Sequence, residues 1–353
     1  MLDYGFIDLY PYYLLYIIFL LLNYSAANSL KLSKICFVVL LLFVICRYNV
    51  GWDYESYVKI VREGLFAAEH SRYEPISKLF LILTIKMDFY PLLFMSFGLV
   101  HLWIMSFMIN KLSTDKVMSW SLYLLIPAFF FQDLSTIRQA AATACIFGSY
   151  YFLRDRQYIK YLLMVALGIG FHNSAWYGLS MLLIYKLNLS IKVNWILFIS
   201  SFFLGNLLLE FLPQLNIVKF NAYLDFDKKA TTSTLNYFYY LINVLVLLHY
   251  TKLVKVNPEN RSYINLSNWG IVTFNLLLFE PISSTRLSVF FLIFWVLLLP
   301  SFVKLYKSKF LVYGSFLLVN IIFLMIYVRA YNRGILSKVS FIPYEFWWDH
   351  LHF

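Results

Sequence analysis

The 353-residue chain is 61% hydrophobic and only 13% charged, against about 25% charged residues in soluble domains, which excludes an ordinary soluble enzyme. Its net charge of +11 raises the question of a polyanionic partner, which the placement of the cations answers below. The three cysteines, Cys36, Cys46 and Cys145, lie in or beside apolar runs, and an odd number there reads as free thiols rather than a disulfide framework.

Apolar runs recur along the whole length, so the expected fold class is all-α, a polytopic integral membrane protein with about twelve transmembrane helices, within a range of roughly 10–13. Asp3 and Asp8 precede the first run and no Lys or Arg does; a cleaved signal peptide would carry a basic start, so the first helix is expected to be retained. The expected spans are roughly 10–28, 32–46, 91–110, 117–131, 138–153, 158–171, 174–186, 193–211, 235–251, 263–280, 286–303 and 310–328. The pair within 158–186 reads either as two full helices or as a broken, re-entrant pair. The stretch 75–88 carries Lys78, Lys86 and Asp88 and reads as an interfacial helix. No linker or low-complexity tract divides the runs, so residues 1–353 are expected to form one integral-membrane domain with outer loops at about 47–90 and 211–234.

The charges orient these spans. Six short loops (25–34, 111–116, 153–160, 186–192, 252–262 and 304–309) hold fifteen Lys and Arg and only three acids, Asp115, Asp155 and Glu259. The positive-inside rule makes that side cytoplasmic. Both termini then fall on the outer, periplasmic-type side with the other fifteen acids. The net charge is thus accounted for by topology, and no nucleic-acid partner is implied.

Once oriented, the unusual polar residues fall on the outer face. Arg47 to Tyr57, which includes Gly51-Trp52-Asp53, follows the second span, and Glu74-Pro75 opens the interfacial helix. Arg138-Gln139 opens the fifth span, His172-Asn173-Ser174 forms an outer turn, and Glu280-Pro281 with Arg286 marks another. Arginines at helix N-termini suit an anionic lipid-linked ligand, because the planar guanidinium grips pyrophosphate oxygens in pairs and the helix end adds positive potential. Each residue also has a plain structural role as an alternative. Arg138 and Arg286 can anchor helix ends among headgroups, His172 can be a packing residue, Gly51-Trp52-Asp53 a simple turn, and Glu74 a helix start. Convergence on one face is what independent structural roles leave unexplained. No phosphate-cradling glycine loop, His-Glu-x-x-His, Cys-x-x-Cys or Gly-x-Ser-x-Gly occurs. His350 and His352 lie in a terminal segment that reads as an exposed tail rather than a zinc site.

The ordered series Arg47-x3-Gly51-x-Asp53-x3-Tyr57, Glu74-Pro75, Ile137-Arg138-Gln139 and Phe171-His172-x-Ser174 resembles the EpsG/Wzy family of bacterial O-antigen and exopolysaccharide repeat-unit polymerases. It covers about residues 47–174, and the Arg286 turn and Ile342-Pro343-Tyr344 are similar as well. The resemblance implies transfer of a growing glycan from its undecaprenyl-pyrophosphate carrier onto a lipid-linked repeat unit at the outer face of the inner membrane, with a chain-length regulator protein as a further partner. It implies Arg138, Arg286 and Arg47, with Gln139 and Tyr57, as pyrophosphate or glycan contacts, and His172, Asp53 or Glu74 as the base, His172 being favoured for its near-neutral intrinsic pKa. No clustered acidic metal ligands are present, so no metal and no cofactor are expected. Two other readings remain. An O-antigen ligase would carry a large late outer loop, whereas 211–234 is moderate. A lipid-linked oligosaccharide flippase would line a central cavity with polar groups, whereas intramembrane charge here is sparse.

Overall fold

The computed structural model describes residues 6–24, 29–211, 234–278, 280–332 and 341–350; most of the expected outer loop at 211–234 lies outside them. The described chain is helical throughout except for a two-residue ladder. In order the helices are α1 (Tyr10–Tyr24), α2 (Leu30–Ile45), α3 (Tyr54–Glu63), α4 (Leu65–His70), α5 (Pro75–Lys86), α6 (Pro91–Leu112), α7 (Lys116–Leu125), α8 (Pro127–Ser135), α9 (Ile137–Arg154) and α10 (Tyr158–Phe171). They continue as α11 (Ser180–Leu187), α12 (Ile191–Phe211), α13 (Thr234–Leu248), α14 (Tyr250–Val256), α15 (Asn260–Leu276), α16 (Pro281–Leu292), α17 (Trp295–Leu298), α18 (Pro300–Tyr306) and α19 (Lys309–Asn332).

Local chemistry sets many of the boundaries. Ser29 and Asp115 cap α2 and α7 by accepting the Leu32 and Met118 amides, each at 3.1 Å. Pro75, Pro91, Pro127 and Pro281 each open a helix, where the missing N–H costs nothing. The expected span 117–131 is corrected by one of these prolines. Ile126 before Pro127 is extended (ψ 112°), and α7 and α8 meet at a 68° bend. The expected span 235–251 is likewise broken, by a 72° bend at His249 between α13 and α14. The expected helix at 174–186 begins as a 3-10 turn, Asn173–Leu179, before α11. Among the described residues five helices are long and apolar enough to cross a membrane by length and composition: Ile7–Tyr24, Pro91–Leu112, Ile191–Leu208, Ile282–Tyr306 and Lys309–Arg329. Counting each bent pair as one span raises this to seven.

The chain resolves into two compact units, residues 1–173 with 307–353, and residues 174–306. In the first, α9 is the central element: residues 139–150 are all buried, under α6, α8 and α10. At one end of this unit the Tyr12 hydroxyl donates to the Phe341 carbonyl (2.7 Å) and the Tyr344 hydroxyl to that of Phe43 (2.5 Å). There Arg47-Tyr48 (β1) pairs antiparallel with Glu345-Phe346 (β2). Phe341, Ile342 and Tyr344 are buried, while in the expected exposed tail that follows, Trp348 to His350 are exposed and residues 351–353 lie outside the described residues. At the other end Asn23 bonds Ser121 (2.6 Å), Ser33 bonds Asn110 (2.6 Å), and Lys309 pairs with Asp115 at 2.9 Å. A buried polar chain joins the bent pair to its neighbours. The Tyr123 hydroxyl reaches Asp133 Oδ2 (3.2 Å) and His101 Nε2 (2.9 Å), and His101 Nδ1 lies 2.8 Å from the Ala140 carbonyl.

The second unit is held by asparagines. Asn265 and Asn268 of α15 bond Asn194 of α12, Asn243 of α13 bonds Asn268, and Asn275 bonds Ser201. Side-chain amides bridging apolar helices supply the directional contacts that burial alone does not provide in lipid.

Candidate active site at the Arg138 cluster

The cluster lies wholly within the first unit and is assembled from four helix ends. Arg138 is the second residue of α9. Its Nη1 donates to Glu74 Oε2 (2.5 Å), its Nε donates to the Tyr57 hydroxyl (3.2 Å), and its guanidinium carbon lies 4.0 Å from the centre of the Tyr73 ring. These two bonds engage two of the five donors a guanidinium carries. The Arg138 and Glu74 side chains remain 19% and 15% exposed, so the pair is reachable from one side.

Glu74 occupies the N-cap position of α5, yet its carboxylate makes no capping bond to its own helix. Oε2 takes Arg138, and Oε1 accepts the Asn173 amide at 2.8 Å. The end of α10 is fixed against α5 by the Ser77 hydroxyl, which donates to the Phe171 carbonyl at 2.7 Å. His172 is the C-cap of α10, half-buried, its amide bonded to the Gly168 carbonyl at 2.9 Å. It therefore stands one residue from the amide that holds Glu74.

Tyr57 reaches Arg138 because α3 starts where it does. Gly51 has φ +111°, and a Cβ there would sit 1.7 Å from the Leu134 carbonyl oxygen, so only glycine fits. The adjacent Trp52 amide bonds Ser135 Oγ at 3.4 Å, and Asp53 follows as the N-cap of α3. Burial pushes the Tyr57 phenol above its ordinary value; Arg138 opposes this and Asp53 adds to it. Burial likewise raises Tyr73, with Arg138 opposing and Asp53 and Glu74 adding. Both phenols are thus neutral at physiological pH, and the site balances one guanidinium against the Glu74 carboxylate with Asp53 nearby.

The other sequence-predicted residues are placed differently. Arg47 is 1% exposed, and its three donor nitrogens point at the Val44, Val50 and Asp133 carbonyls (2.5–3.3 Å), with Phe94 under the guanidinium. In this arrangement it pins the turn after α2 to the end of α8. Gln139 is buried in the first turn of α9. Arg286 is exposed on α16, in the second unit, six residues after the Glu280 cap of that helix. Tyr73, which adjoins Glu74, is a site member that sequence reasoning missed, and Asn173, placed by the sequence in the outer turn, enters through its backbone amide. Among the described residues no group of three or more His, Cys, Asp or Glu converges to hold a metal ion.

A helical membrane protein with a partly exposed arginine–carboxylate pair set between a buried and a half-buried tyrosine is the class this geometry defines. The EpsG family model matches residues 31–346, nearly the whole chain, and the protein belongs to that family. Membership assigns it a general role in membrane polysaccharide polymerisation, of glycosyltransferase type. No curated protein and no solved structure matches the chain.

Proposed function

We propose that the protein transfers a growing glycan from its undecaprenyl pyrophosphate onto a lipid-linked repeat unit at the outer face of the bacterial inner membrane. The Arg138–Glu74 pair, roofed by Tyr73 and bonded to Tyr57, is the observation that carries this reading. A hydroxyl of the incoming sugar attacks the anomeric carbon of the donor. A C–O bond forms there, the bond to the pyrophosphate oxygen breaks, and the hydroxyl proton passes to a base. Charge grows on the leaving pyrophosphate, where a guanidinium is worth most. Pyrophosphate competes with Glu74 for Arg138, and the carboxylate it displaces becomes free to take the proton. His172 and Asp53 are the other bases within the same assembly, and Arg286, Arg47, Gln139 and Tyr57 are further candidate contacts to the lipid-linked glycan. The step uses no metal or cofactor. Treatment with a chelator that leaves polymer length unchanged is the expected outcome.

The same proposal gives the chain about twelve crossings with both termini outside. The meeting of Tyr12, Phe43, Arg47 and the 341–346 segment at one end of the first unit, with Lys309 and Asp115 at the other, supports placing both ends of the chain on one side. A cysteine introduced near 155 is expected to resist an impermeant thiol reagent and one near 225 to react. A chain-length regulator is the expected protein partner.

The test is Arg138→Ala in cells: surface polysaccharide should collapse to single repeat units on a glycan gel. A normal ladder sinks the assignment. Loss of all surface attachment would indicate a ligase, and inward-facing lipid-linked units a flippase.

A further inference from the structure

The first unit encloses a second polar feature that the Arg138 cluster does not use. A cavity of about 470 Å³ opens beside α3, within the range of about 300–1,000 Å³ that small-ligand sites occupy. Tyr48, Tyr54 and Tyr90 form its aromatic walls. Tyr54 and Tyr90 are 3% and 9% exposed; the Tyr54 hydroxyl lies against the Asn49 backbone and the Tyr90 hydroxyl, and neither phenol makes a well-formed hydrogen bond. Even a bond shared between these two neighbouring phenols would engage only one of their two O–H donors. An under-bonded buried hydroxyl is costly and favours a polar occupant.

The charges around the rim narrow the occupant further. Glu55 and Glu63 face the cavity together with Lys59 and Arg62, so carboxylates and cations balance. Such walls favour an uncharged polyhydroxylated ligand over pyrophosphate, which would call for excess positive charge, and over an acyl chain, which would leave the polar groups unsolvated. Flat aromatic rings beside hydrogen-bonding acids and bases suit the apolar face and hydroxyl rim of a sugar ring.

The position of the cavity follows from the helix. Tyr54, Val58 and Arg62 form one row on α3 and Glu55, Lys59 and Glu63 the next, and Tyr57, three residues after Tyr54, is its neighbour round the helix, both rings packing on Phe94. One face of α3 therefore lines the cavity and the adjoining row supplies the hydroxyl bonded to Arg138.

We propose that this cavity is a saccharide-binding subsite that holds a sugar of the glycan repeat unit beside the Arg138 cluster; the identity of that sugar's carrier rests on the polymerase reading. The test uses the full-length protein in detergent and, as probe, single-repeat oligosaccharides from partial hydrolysis of the host's own surface polysaccharide, which carry no pyrophosphate. Calorimetric titration should show binding by the native protein and by Arg138→Ala alike. Tyr90→Phe should weaken it about tenfold, and Val58→Trp, which fills the cavity, should abolish it. Undiminished binding by Val58→Trp, or no binding by the native protein, overturns the inference. If Val58→Trp does not accumulate, the double variant Tyr54→Phe/Tyr90→Phe decides, and native affinity there overturns it equally. The polymerase reading fails separately, if deletion of the gene leaves the polysaccharide ladder intact.

Discussion

Two helices in this protein begin with the same dipeptide and use it differently. Glu280-Pro281 opens α16, and the Glu280 carboxylate turns back to accept the Ser283 amide at 2.6 Å. Glu74-Pro75 opens α5, and the Glu74 carboxylate leaves its own helix to hold Arg138 and the Asn173 amide, 64 and 99 residues away in sequence. A cap bonded to its own first turn is a local structural device. A cap position whose side chain points outward, beside a partly exposed arginine, has been diverted to another task, and α5 tolerates the loss because Ser77 and the packing of Pro75–Lys86 hold it in place.

Breaking the diverted carboxylate should have the largest effect. Glu74→Ala is expected to reduce polymerisation at least 100-fold by glycan gel and in membrane assays, because Arg138 loses its positioning partner and the site loses a candidate base. Full polymerisation by Glu74→Ala would reduce Glu74 to a plain helix start. Arg138→Lys comes next: an ammonium keeps the charge but not the paired donors, so about 10- to 100-fold lower activity is expected, with some short ladder retained. Gly51→Ala acts one step further away. A Cβ cannot occupy the space 1.7 Å from the Leu134 carbonyl, so the turn must shift, carrying Tyr57 and Asp53 with it. Accumulation in the membrane should fall, and the protein that remains should show lower turnover.

The two Glu-Pro starts look alike in sequence and part only in the fold, and other residues behave the same way. Periodic apolar runs make the helices legible, and the distribution of charged loops is enough to group Arg138, Glu74, Tyr57 and His172 on one face. Broken spans are legible in principle at Pro127, whose missing N–H and effect on Ile126 force the bend, but an apolar run from 117 to 131 conceals it. Arg47 cannot be told from Arg138 by sequence, since both follow or begin an apolar run. Only tertiary contacts show that Arg47 points at three backbone carbonyls and Arg138 at a carboxylate. The His101–Tyr123–Asp133 chain is unreadable for the same reason: its members lie on three helices and meet only when α7 and α8 bend.

The smallest effect belongs to the helix that keeps its cap. Glu280→Ala removes the acceptor of the Ser283 amide and should cost about 1 kcal/mol of stability, the usual worth of an N-cap side chain. In a domain of this size that is a shift of a few degrees in thermal unfolding in detergent. The polysaccharide ladder should be unchanged, because the bond is confined to the first turn of α16. Glu280→Ser should restore the lost stability, since a serine oxygen can accept the same amide; Glu74→Ser should restore nothing, since serine cannot reach Arg138 as a carboxylate does. If instead Glu280→Ala shortened the glycan as severely as Glu74→Ala, the two Glu-Pro starts would share one role and the distinction drawn from their geometry would fail.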